Sequence, residues 1–156
     1  MSKIIDYKKL TTLVKKISGR NIVLAGGCFD ILHPAHLKFL KAARKQAEIL
    51  IVALESDEKI KKLKGSNRPL NSQIIRAKNL AKLKEGDYVL LLPEFKSDED
   101  YLDLVKIIKP KIIAVTKNDP MIKKKRFQAK SVGAKVVEVI PYLKGHSTTR
   151  IINGSM

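Results

Sequence analysis

The stretch NIVLAGGCFDILHPAHLKFL, residues 21–40, decides the fold of this chain. It begins with a nearly continuous apolar run, which is typical of a strand covered on both faces of a parallel sheet. Gly26 and Gly27 follow, and glycines at this point let the backbone turn tightly and approach a ligand without an intervening Cβ. Pro34 then stands at the expected first position of a helix. The stretch therefore predicts a strand–turn–helix unit of an α/β protein.

Alternating strand and helix signals extend this unit along the chain. Four more apolar runs of strand length follow, at residues 48–55, 87–93, 111–116 and 134–141. Segments with helix caps and helical spacing of apolar residues lie between or beside them, at 71–84, 97–110 and 119–133. Strands that alternate with helices form one open sheet with right-handed crossovers. We therefore predict an α/β fold with a single open, mainly parallel five-stranded sheet flanked by helices, in one domain that spans residues 1–156.

The charge balance makes nucleic acid a candidate partner. Lys and Arg number 32 against 15 Asp and Glu, for a formal net charge of +17, and such a surface attracts polyanions. The lysines are scattered, however, only four Phe and four Tyr could stack on bases, and no zinc-finger, RRM or KH motif is present. We interpret the charge as solvated lysine-rich faces, and nucleic-acid binding is the less favoured alternative.

The sequence also predicts the compartment. No apolar run approaches the roughly 18 residues that a membrane helix needs, and the N-terminus has no secretory apolar segment. Cys28 is the one cysteine, so an internal disulfide or a cysteine-cluster metal site is excluded. These features predict a cytoplasmic protein that does not bind membranes.

Polar segments follow three of the predicted strands, at residues 26–36, 117–119 and 144–149. Ligands of open α/β sheets bind beyond the carboxyl ends of the strands. His33 and His36 would lie about one turn apart at a helix N-terminus, which by itself attracts anions. Two imidazoles there can donate hydrogen bonds to phosphate oxygens. The alternative is that one histidine caps the helix and the other packs.

A basic segment, KLKGSNRPLNSQIIR at residues 62–76, favours a phosphate site. It clusters Lys62, Lys64, Arg68 and Arg76 around a glycine and a proline. The alternative is a solvated basic loop.

A hydroxyl-rich segment, KGHSTTRII at residues 144–152, has the same two interpretations. Ser147, Thr148 and Thr149 precede an apolar pair. Hydroxyls at a helix N-terminus cap it, and equally they bind phosphate together with the free amides.

Three motifs carry a resemblance to a known family. GCFDILHPAH, LKGSNRPLNSQIIR and GHSTTRI, in this order and spacing, resemble the motifs of the cytidylyltransferase-like nucleotidyltransferases. Their signature is a Gly-x-Phe-Asp turn with His-x-Gly-His, then a basic Arg-Pro segment, then a late Ser-Thr-Thr helix start. The chain most resembles the heptose-1-phosphate adenylyltransferases, whose N-terminal helix, SDEKIKKLKG stretch and RPLN turn it shares. The resemblance covers nearly the whole chain and implies a Rossmann-like nucleotidyltransferase fold.

The resemblance implies roles for individual residues. His33 and His36 match the signature histidines, and with Lys64 they are the expected catalytic residues, which bind phosphates and stabilise the transition state. The expected nucleotide-binding residues are Gly27, Cys28, Phe29, Lys62, Arg76, Asn118, Ser147, Thr148 and Thr149. Mg2+ is the expected cofactor, held mainly by the triphosphate oxygens and water. No protein residue is assigned as a metal ligand, although Asp30 and Asp119 could assist.

Three departures from the family pattern bear on the substrates. Ala35 stands in place of the glycine between the signature histidines, and TKNDP, residues 116–120, stands in place of a Gly-rich turn. Tyr142 and Lys144 replace an arginine and a glutamate that are typical of the cytidylyltransferases. The last departure favours ATP over CTP.

We therefore predict a nucleotidyltransferase that transfers a nucleoside monophosphate, AMP from ATP, to a phosphorylated sugar such as heptose 1-phosphate and releases pyrophosphate. The acceptor phosphate would attack the α-phosphorus in line, and because two anions must meet, the site needs positioning and charge neutralisation. The alternatives are a CTP-dependent glycerol-3-phosphate cytidylyltransferase, an FAD synthetase and a pantetheine-phosphate adenylyltransferase. The non-enzyme alternative is a basic nucleotide- or RNA-binding module. The resemblance also implies a homodimer.

Overall fold

Six strands and six α-helices form the part of the chain that the computed structural model describes, residues 3–140. The strands are β1 (Ile4–Asp6), β2 (Ile22–Gly27), β3 (Ile49–Leu54), β4 (Tyr88–Leu91), β5 (Ile112–Thr116) and β6 (Lys135–Ile140). The helices are α1 (Leu10–Lys16), α2 (Pro34–Arg44), α3 (Asp57–Lys64), α4 (Gln73–Ala81), α5 (Asp98–Ile108) and α6 (Ile122–Ser131). None of these helices is both long and apolar enough to cross a membrane.

The strands form one sheet in the order β1-β4-β3-β2-β5-β6, and every neighbouring pair is parallel. The predicted parallel α/β sheet is confirmed, but it has six strands rather than five. The additional strand, β1, is three residues long and pairs Ile4 with Val89 at one edge of the sheet. Its two apolar residues are too few to produce a periodic signal, so the sequence analysis missed it.

The path of the chain across the sheet reverses at β2. From β2 the chain proceeds through β3 to β4 on one side, and it then crosses to β5 and β6 on the other side. In open α/β sheets the crevice at such a reversal, beyond the carboxyl ends of the strands, is where ligands bind. Gly26 and Gly27 end β2 and therefore stand at this point.

Two apolar layers cover the sheet. Successive side chains of a strand point to opposite faces, so Leu24 and Ile51 pack with α1 and α5, whereas Val23 and Leu50 pack with α2 and α4. All six residues of β3 are buried, as expected for a central strand covered on both faces. The sheet is thus a well-packed platform for the loops at its carboxyl end.

Several predicted helix ends are confirmed. Pro34 is the first residue of α2, and Ser97 and Asp100 form a capping box at the start of α5. Gly133 follows α6 with a φ of +71°, a conformation that glycine adopts without strain.

No helix is predicted over residues 57–64, where Lys62 and Lys64 belong to the basic segment 62–76, but the structure forms helix α3 there. Its N-terminus is capped by Ser56, whose hydroxyl accepts the Lys59 N–H at 3.1 Å. Acidic residues in its first turn and lysines in its last turn also complement the helix dipole. Lys62 and Lys64 therefore lie on a helix rather than in a loop.

Candidate active site

The candidate active site lies where β2 ends and α2 begins. The Gly27 carbonyl accepts the Glu55 N–H at 3.0 Å, which anchors the end of β2 to the end of β3. Residues 28–33 then pass the reversal point of the sheet, and α2 begins at Pro34. A helix N-terminus at this position favours an anion, because its first N–H groups lack partners within the helix.

His33 and His36 lie together at the start of α2. Both are buried, and their ring centroids are 4.1 Å apart. His33 caps the helix, because its Nδ1 accepts the Ala35 N–H at 3.2 Å. His36 packs against Phe29, with 5.3 Å between the ring centroids. Capping and packing are therefore real contacts of this pair, and since each imidazole has two nitrogens, they do not exclude phosphate binding.

The surroundings of His36 determine its protonation. Burial lowers the pKa of His36 to about 4, and the neighbouring His33 and Lys64 charges act in the same direction. A hydrogen bond with the Ile31 backbone opposes them. Without a ligand His36 is thus a neutral imidazole at neutral pH, and its hydrogen bond with Ile31, which raises the pKa, engages its one N–H.

Phe29 supports His36 and explains the glycine at position 27. Its backbone has a φ of +47°, which is uncommon for a residue with a side chain, and its ring is buried. A Cβ at Gly27 would lie 2.8 Å from this ring, whereas a Cβ at Gly26 would find its nearest neighbour at 3.7 Å. The close approach that requires Gly27 is therefore an approach to Phe29.

Lys64, in the last turn of α3, brings an ammonium group to the same region. Its Nζ is enclosed and has no hydrogen-bond partner among residues 3–140. Burial lowers the pKa of Lys64, although the neighbouring Cys28 and Asp30 oppose this effect. An enclosed cation without a partner is unfavourable by itself, and an anionic ligand would satisfy it.

Lys62 lies elsewhere, although it is only two residues from Lys64. Its Nζ is 2.6 Å from Glu94 Oε2, and its side chain is 62% exposed. The structure thus brings Lys64, but not Lys62, into electrostatic contact with His36.

Asp30 fastens the basic segment to the loop between β2 and α2. Its carboxylate accepts the Leu70 and Asn71 N–H groups at 2.7 and 2.9 Å, and it forms a buried ion pair with Arg68 at 2.9 Å. Burial by itself raises the pKa of Asp30, but these donors outweigh it and hold the pKa below its ordinary value. The turn that carries Arg68 is therefore held beside the histidines by a carboxylate 38 residues away in sequence.

Arg76 is wholly buried and bonds to the protein itself. Its guanidinium donates to the carbonyls of Asn71, Cys28 and Glu55, and to the Asp57 carboxylate. Four of its five N–H donors are thereby used. In the unliganded chain Arg76 links the turn after β2, the end of β3 and the start of α3, so it holds these three segments of the site in place.

The remaining predicted positions fall into two groups. Asn118 is exposed and has a φ of +64° in the turn after β5. Ser147, Thr148 and Thr149 lie outside the described residues.

The two carboxylates considered for Mg2+ are engaged in protein contacts. Asp30 binds the basic segment as described, and Asp119 accepts the Met121 N–H at 2.7 Å and pairs with Lys125 at 2.6 Å. Among residues 3–140, no group of three or more His, Cys, Asp or Glu side chains is placed to hold a metal ion.

A cavity of about 240 Å³ adjoins the site on the sheet face that α5 and α6 cover. Gly26 and Gly27 line it from the end of β2, Cys28 follows them, and Glu55 lines it directly after β3. Burial raises the pKa of the Cys28 thiol, which does not favour a nucleophilic thiolate. Glu55 is not among the predicted site residues, although it is a polar residue at the carboxyl end of a predicted strand, which is the signal that identified the other segments.

A parallel α/β sheet with a candidate anion site at its reversal point is typical of α/β proteins that bind phosphorylated ligands. The chain matches the family model described as Cytidylyltransferase-like over residues 24–154, and it belongs to that family. The resemblance inferred from its motifs is thereby confirmed.

Relatives of this chain include larger proteins. The chain is 43% identical over 155 residues to "Bifunctional protein HldE" of Helicobacter hepaticus, with 97% of this chain and 30% of the relative covered. It is 38% identical over 153 residues to the protein of the same name from Nitratiruptor, with 94% and 30% covered. The chain thus spans about 30% of the length of these relatives.

Solved structures share the fold. The lipopolysaccharide core biosynthesis protein of Thermoplasma volcanium has a TM-score of 0.66 at 26% identity, with 80% of this chain and 100% of that chain covered. Pantoate-beta-alanine ligase of Francisella tularensis has a TM-score of 0.73 at 15% identity, with 98% and 73% covered. The second likeness shows the fold alone.

Proposed function

We propose that this chain transfers AMP from ATP to a phosphorylated sugar of the heptose 1-phosphate type and releases pyrophosphate. The observation that carries the proposal is the enclosed Lys64 ammonium, which lacks a partner among the described residues and lies beside the paired His33 and His36 rings. Phosphate oxygens are ligands that satisfy an ammonium and imidazole N–H groups together. Three such groups at the reversal point of the sheet form a site for a negatively charged reacting group.

In this reaction the acceptor phosphate attacks the α-phosphorus in line, and pyrophosphate leaves. His33, His36 and Lys64 stabilise the charge that develops on the α-phosphate oxygens. A phosphate acceptor needs no general base, and a bound phosphate would favour the protonated form of His36, in which both ring nitrogens donate hydrogen bonds. Arg76 and Asp30 hold the loops in place and so act as positioning residues.

Mg2+ is the proposed cofactor, and the nucleotide brings it. The oxygens of Asp30 and Asp119 already accept hydrogen bonds within the chain, whereas triphosphate oxygens and water suit this hard cation. When bound, Mg2+ neutralises triphosphate charge. The chain itself positions the α-phosphate.

The choice of ATP and of a heptose phosphate rests on sequence. The SDEKIKKLKG stretch and the RPLN turn resemble the heptose-1-phosphate adenylyltransferases, and Tyr142 and Lys144 depart from the cytidylyltransferase pattern. A protein named for lipopolysaccharide core biosynthesis is similar in structure, which supports a sugar acceptor. We further propose that residues 1–156 form one nucleotidyltransferase domain, that the chain forms a homodimer, and that it acts in the cytoplasm.

Pyrophosphate release tests the proposal. The purified chain is assayed in Mg2+ with ATP, CTP, GTP or UTP against heptose 1-phosphate, glycerol 3-phosphate, FMN and phosphopantetheine. We expect release with ATP and heptose 1-phosphate, and a decrease of about 10²–10³-fold in the His36→Ala variant. Release with CTP and glycerol 3-phosphate would replace the proposal with a cytidylyltransferase. No release with any pair, together with tight RNA binding at physiological salt, would favour the binding module.

A further inference from the structure

The cavity beside the anion site belongs to the opposite face of the sheet. Its floor is formed by Leu24, Ala53 and Ile113, which pack in the layer of α1 and α5. Phe29, which supports the histidines, packs in the other layer, with α2 and α4. The cavity and the anion site therefore adjoin along the turn that ends β2, where Gly27 lines the cavity directly.

A half-buried carboxylate is the distinctive polar group of this cavity. The Tyr101 hydroxyl of α5 donates to both oxygens of Glu55, at 3.1 and 2.9 Å. Among residues 3–140 this hydroxyl is the one hydrogen-bond donor to the Glu55 side chain. A carboxylate has about four lone-pair sites, so Glu55 keeps acceptor capacity toward the cavity.

Lysines surround the carboxylate without forming an ion pair with it. Lys59 lies over the Tyr101 ring, with 5.3 Å from Nζ to the ring centroid, and Lys124 and Lys125 of α6 also line the cavity. Burial raises the pKa of Glu55, while the Tyr101 hydroxyl and the charges of Lys59 and Lys125 oppose this effect. Lys124 pairs with Asp98 and Lys125 pairs with Asp119, so the charge of the rim is partly neutralised, whereas the fixed group inside is a hydrogen-bond acceptor.

The carboxylate, the apolar walls and the lysines of the cavity together favour one class of ligand. A phosphate placed against Glu55 would be repelled, but hydroxyl groups donate to a carboxylate, and the apolar walls accommodate the C–H surfaces of a sugar ring. Lys59, over the Tyr101 ring, leaves a positive charge at the rim that attracts an anionic molecule. A small polyhydroxylated phosphate ester has these properties, and the volume suits a molecule of that size.

We propose that this cavity binds the acceptor, and that Glu55, held by Tyr101, is a specificity-determining residue that accepts hydrogen bonds from acceptor hydroxyls. The acceptor phosphate then lies toward Gly27, where it meets the α-phosphate held on the other face. This assignment rests on the proposed function, since it needs a nucleotide at the histidines. The hydroxyl-bearing part of the acceptor, rather than the nucleotide, occupies the cavity.

Two variants test the assignment, and a third on the same strand is the control. Glu55→Gln removes the charge with little change of shape, and Tyr101→Phe removes the hydroxyl that orients it. Glu48 is exposed and precedes the opposite end of β3, so Glu48→Gln repeats the charge change far from the cavity. Unfolding is followed for each variant, so that loss of fold is separated from loss of binding.

Binding and turnover are then measured separately. Titration calorimetry in Mg2+ measures the dissociation constants of a non-hydrolysable ATP analogue and, with that analogue bound, of heptose 1-phosphate. Pyrophosphate release measures KM and kcat. We expect Glu55→Gln to weaken heptose 1-phosphate binding and raise its KM at least about tenfold, equivalent to about 1.4 kcal/mol, without weakening the nucleotide. Tyr101→Phe should act in the same direction by a smaller factor, and Glu48→Gln should change neither constant.

The outcomes distinguish the two proposals. Turnover in the wild-type chain with unchanged acceptor affinity in Glu55→Gln would overturn the assignment of Glu55 and leave the proposed function standing. An equal loss of nucleotide affinity would overturn it as well, because the cavity would then hold the nucleotide. Acceptor binding that depends on Glu55 without any turnover would support the cavity and refute the proposed function. A wild-type chain that neither binds heptose 1-phosphate nor turns over would refute both.

Discussion

Replacement of Lys64 by methionine should make the unliganded protein more stable and nearly inactive. The Lys64 Nζ is enclosed without a hydrogen-bond partner among the described residues, and burial lowers its pKa. Methionine keeps an unbranched, flexible side chain of similar reach and removes the charge. The variant therefore removes an electrostatic cost and the ligand contact at the same time.

The magnitude follows from the burial of the ammonium. A buried polar group left unsatisfied costs about 1–3 kcal/mol, and since the residue as a whole is only partly buried, the lower end applies. We expect the free energy of unfolding to rise by about 1 kcal/mol, or Tm by about 2–4 °C for a chain of this size. The cost belongs to the charged form, so the gain should shrink as the pH approaches the ordinary lysine pKa of about 10.4.

Thermal unfolding and pyrophosphate release measure the two effects. Turnover should fall by about 10²–10³-fold, as for other groups that stabilise a developing charge. A saturating ATP analogue in Mg2+ should stabilise the wild-type chain more than the variant and reverse their order of Tm. Lys61→Met, an exposed neighbour on α3, is the control and should change stability by no more than about 0.5 kcal/mol. A lower Tm for Lys64→Met in the unliganded state would refute the reasoning, because the ammonium would then have a stabilising contact.

Three further predictions concern the loop between β2 and α2 and its support. The pKa of His36 is about 4 in the folded chain, and the ordinary histidine pKa is about 6.5. The contribution of neutral His36 to the free energy of unfolding is therefore fully present above pH 6.5. That free energy should fall by about 3 kcal/mol as the pH drops from 6.5 to 4. Urea unfolding of a His36→Gln variant should lack that decrease, and parallel pH profiles would contradict the prediction. Gly27→Ala should lower the free energy of unfolding by about 1–3 kcal/mol, because the new Cβ meets the Phe29 ring, whereas Gly26→Ala should lower it less. Equal Tm values for the two variants would contradict this prediction, because they would show that the Phe29 ring moves aside without cost. Arg76→Lys should lower the free energy of unfolding by about 2 kcal/mol or more, since lysine cannot reproduce the four hydrogen bonds of the planar guanidinium. A Tm equal to that of the wild-type chain would exclude this structural role of Arg76.

The strands and the central turn could be predicted because their signals are local. Strands β2, β3 and β5 are largely buried apolar runs. The helix after Gly27 begins at a proline, so residues 21–40 specify their own local structure. The pairing of His33 and His36 follows from helix geometry, which brings residues three apart onto one face. The sequence likewise provided the family resemblance, because that depends on order and spacing.

The short edge strand and helix α3 show where local signals fail. Strand β1 has too few residues for a periodic pattern, and it forms by pairing with β4. Helix α3 has a cap and complementary charges, which are local helix signals, but no helix is predicted over residues 57–64. The catalytic and nucleotide-binding roles of the site residues stay predictions.

The sequence by itself determined the α/β class, the turn after β2, the histidine pair and the set of basic residues near a candidate phosphate site. Only the tertiary structure decided which of those basic residues face the site. Lys62 and Lys64 are two residues apart, so they lie about 200° apart around the helix, and packing turns one toward Glu94 and the other toward the histidines. The bond of Asp30 to Arg68 and the pairing of Glu55 with Tyr101 join positions 38 and 46 residues apart. Such contacts depend on how the sheet brings distant segments together, which no local pattern of the chain encodes.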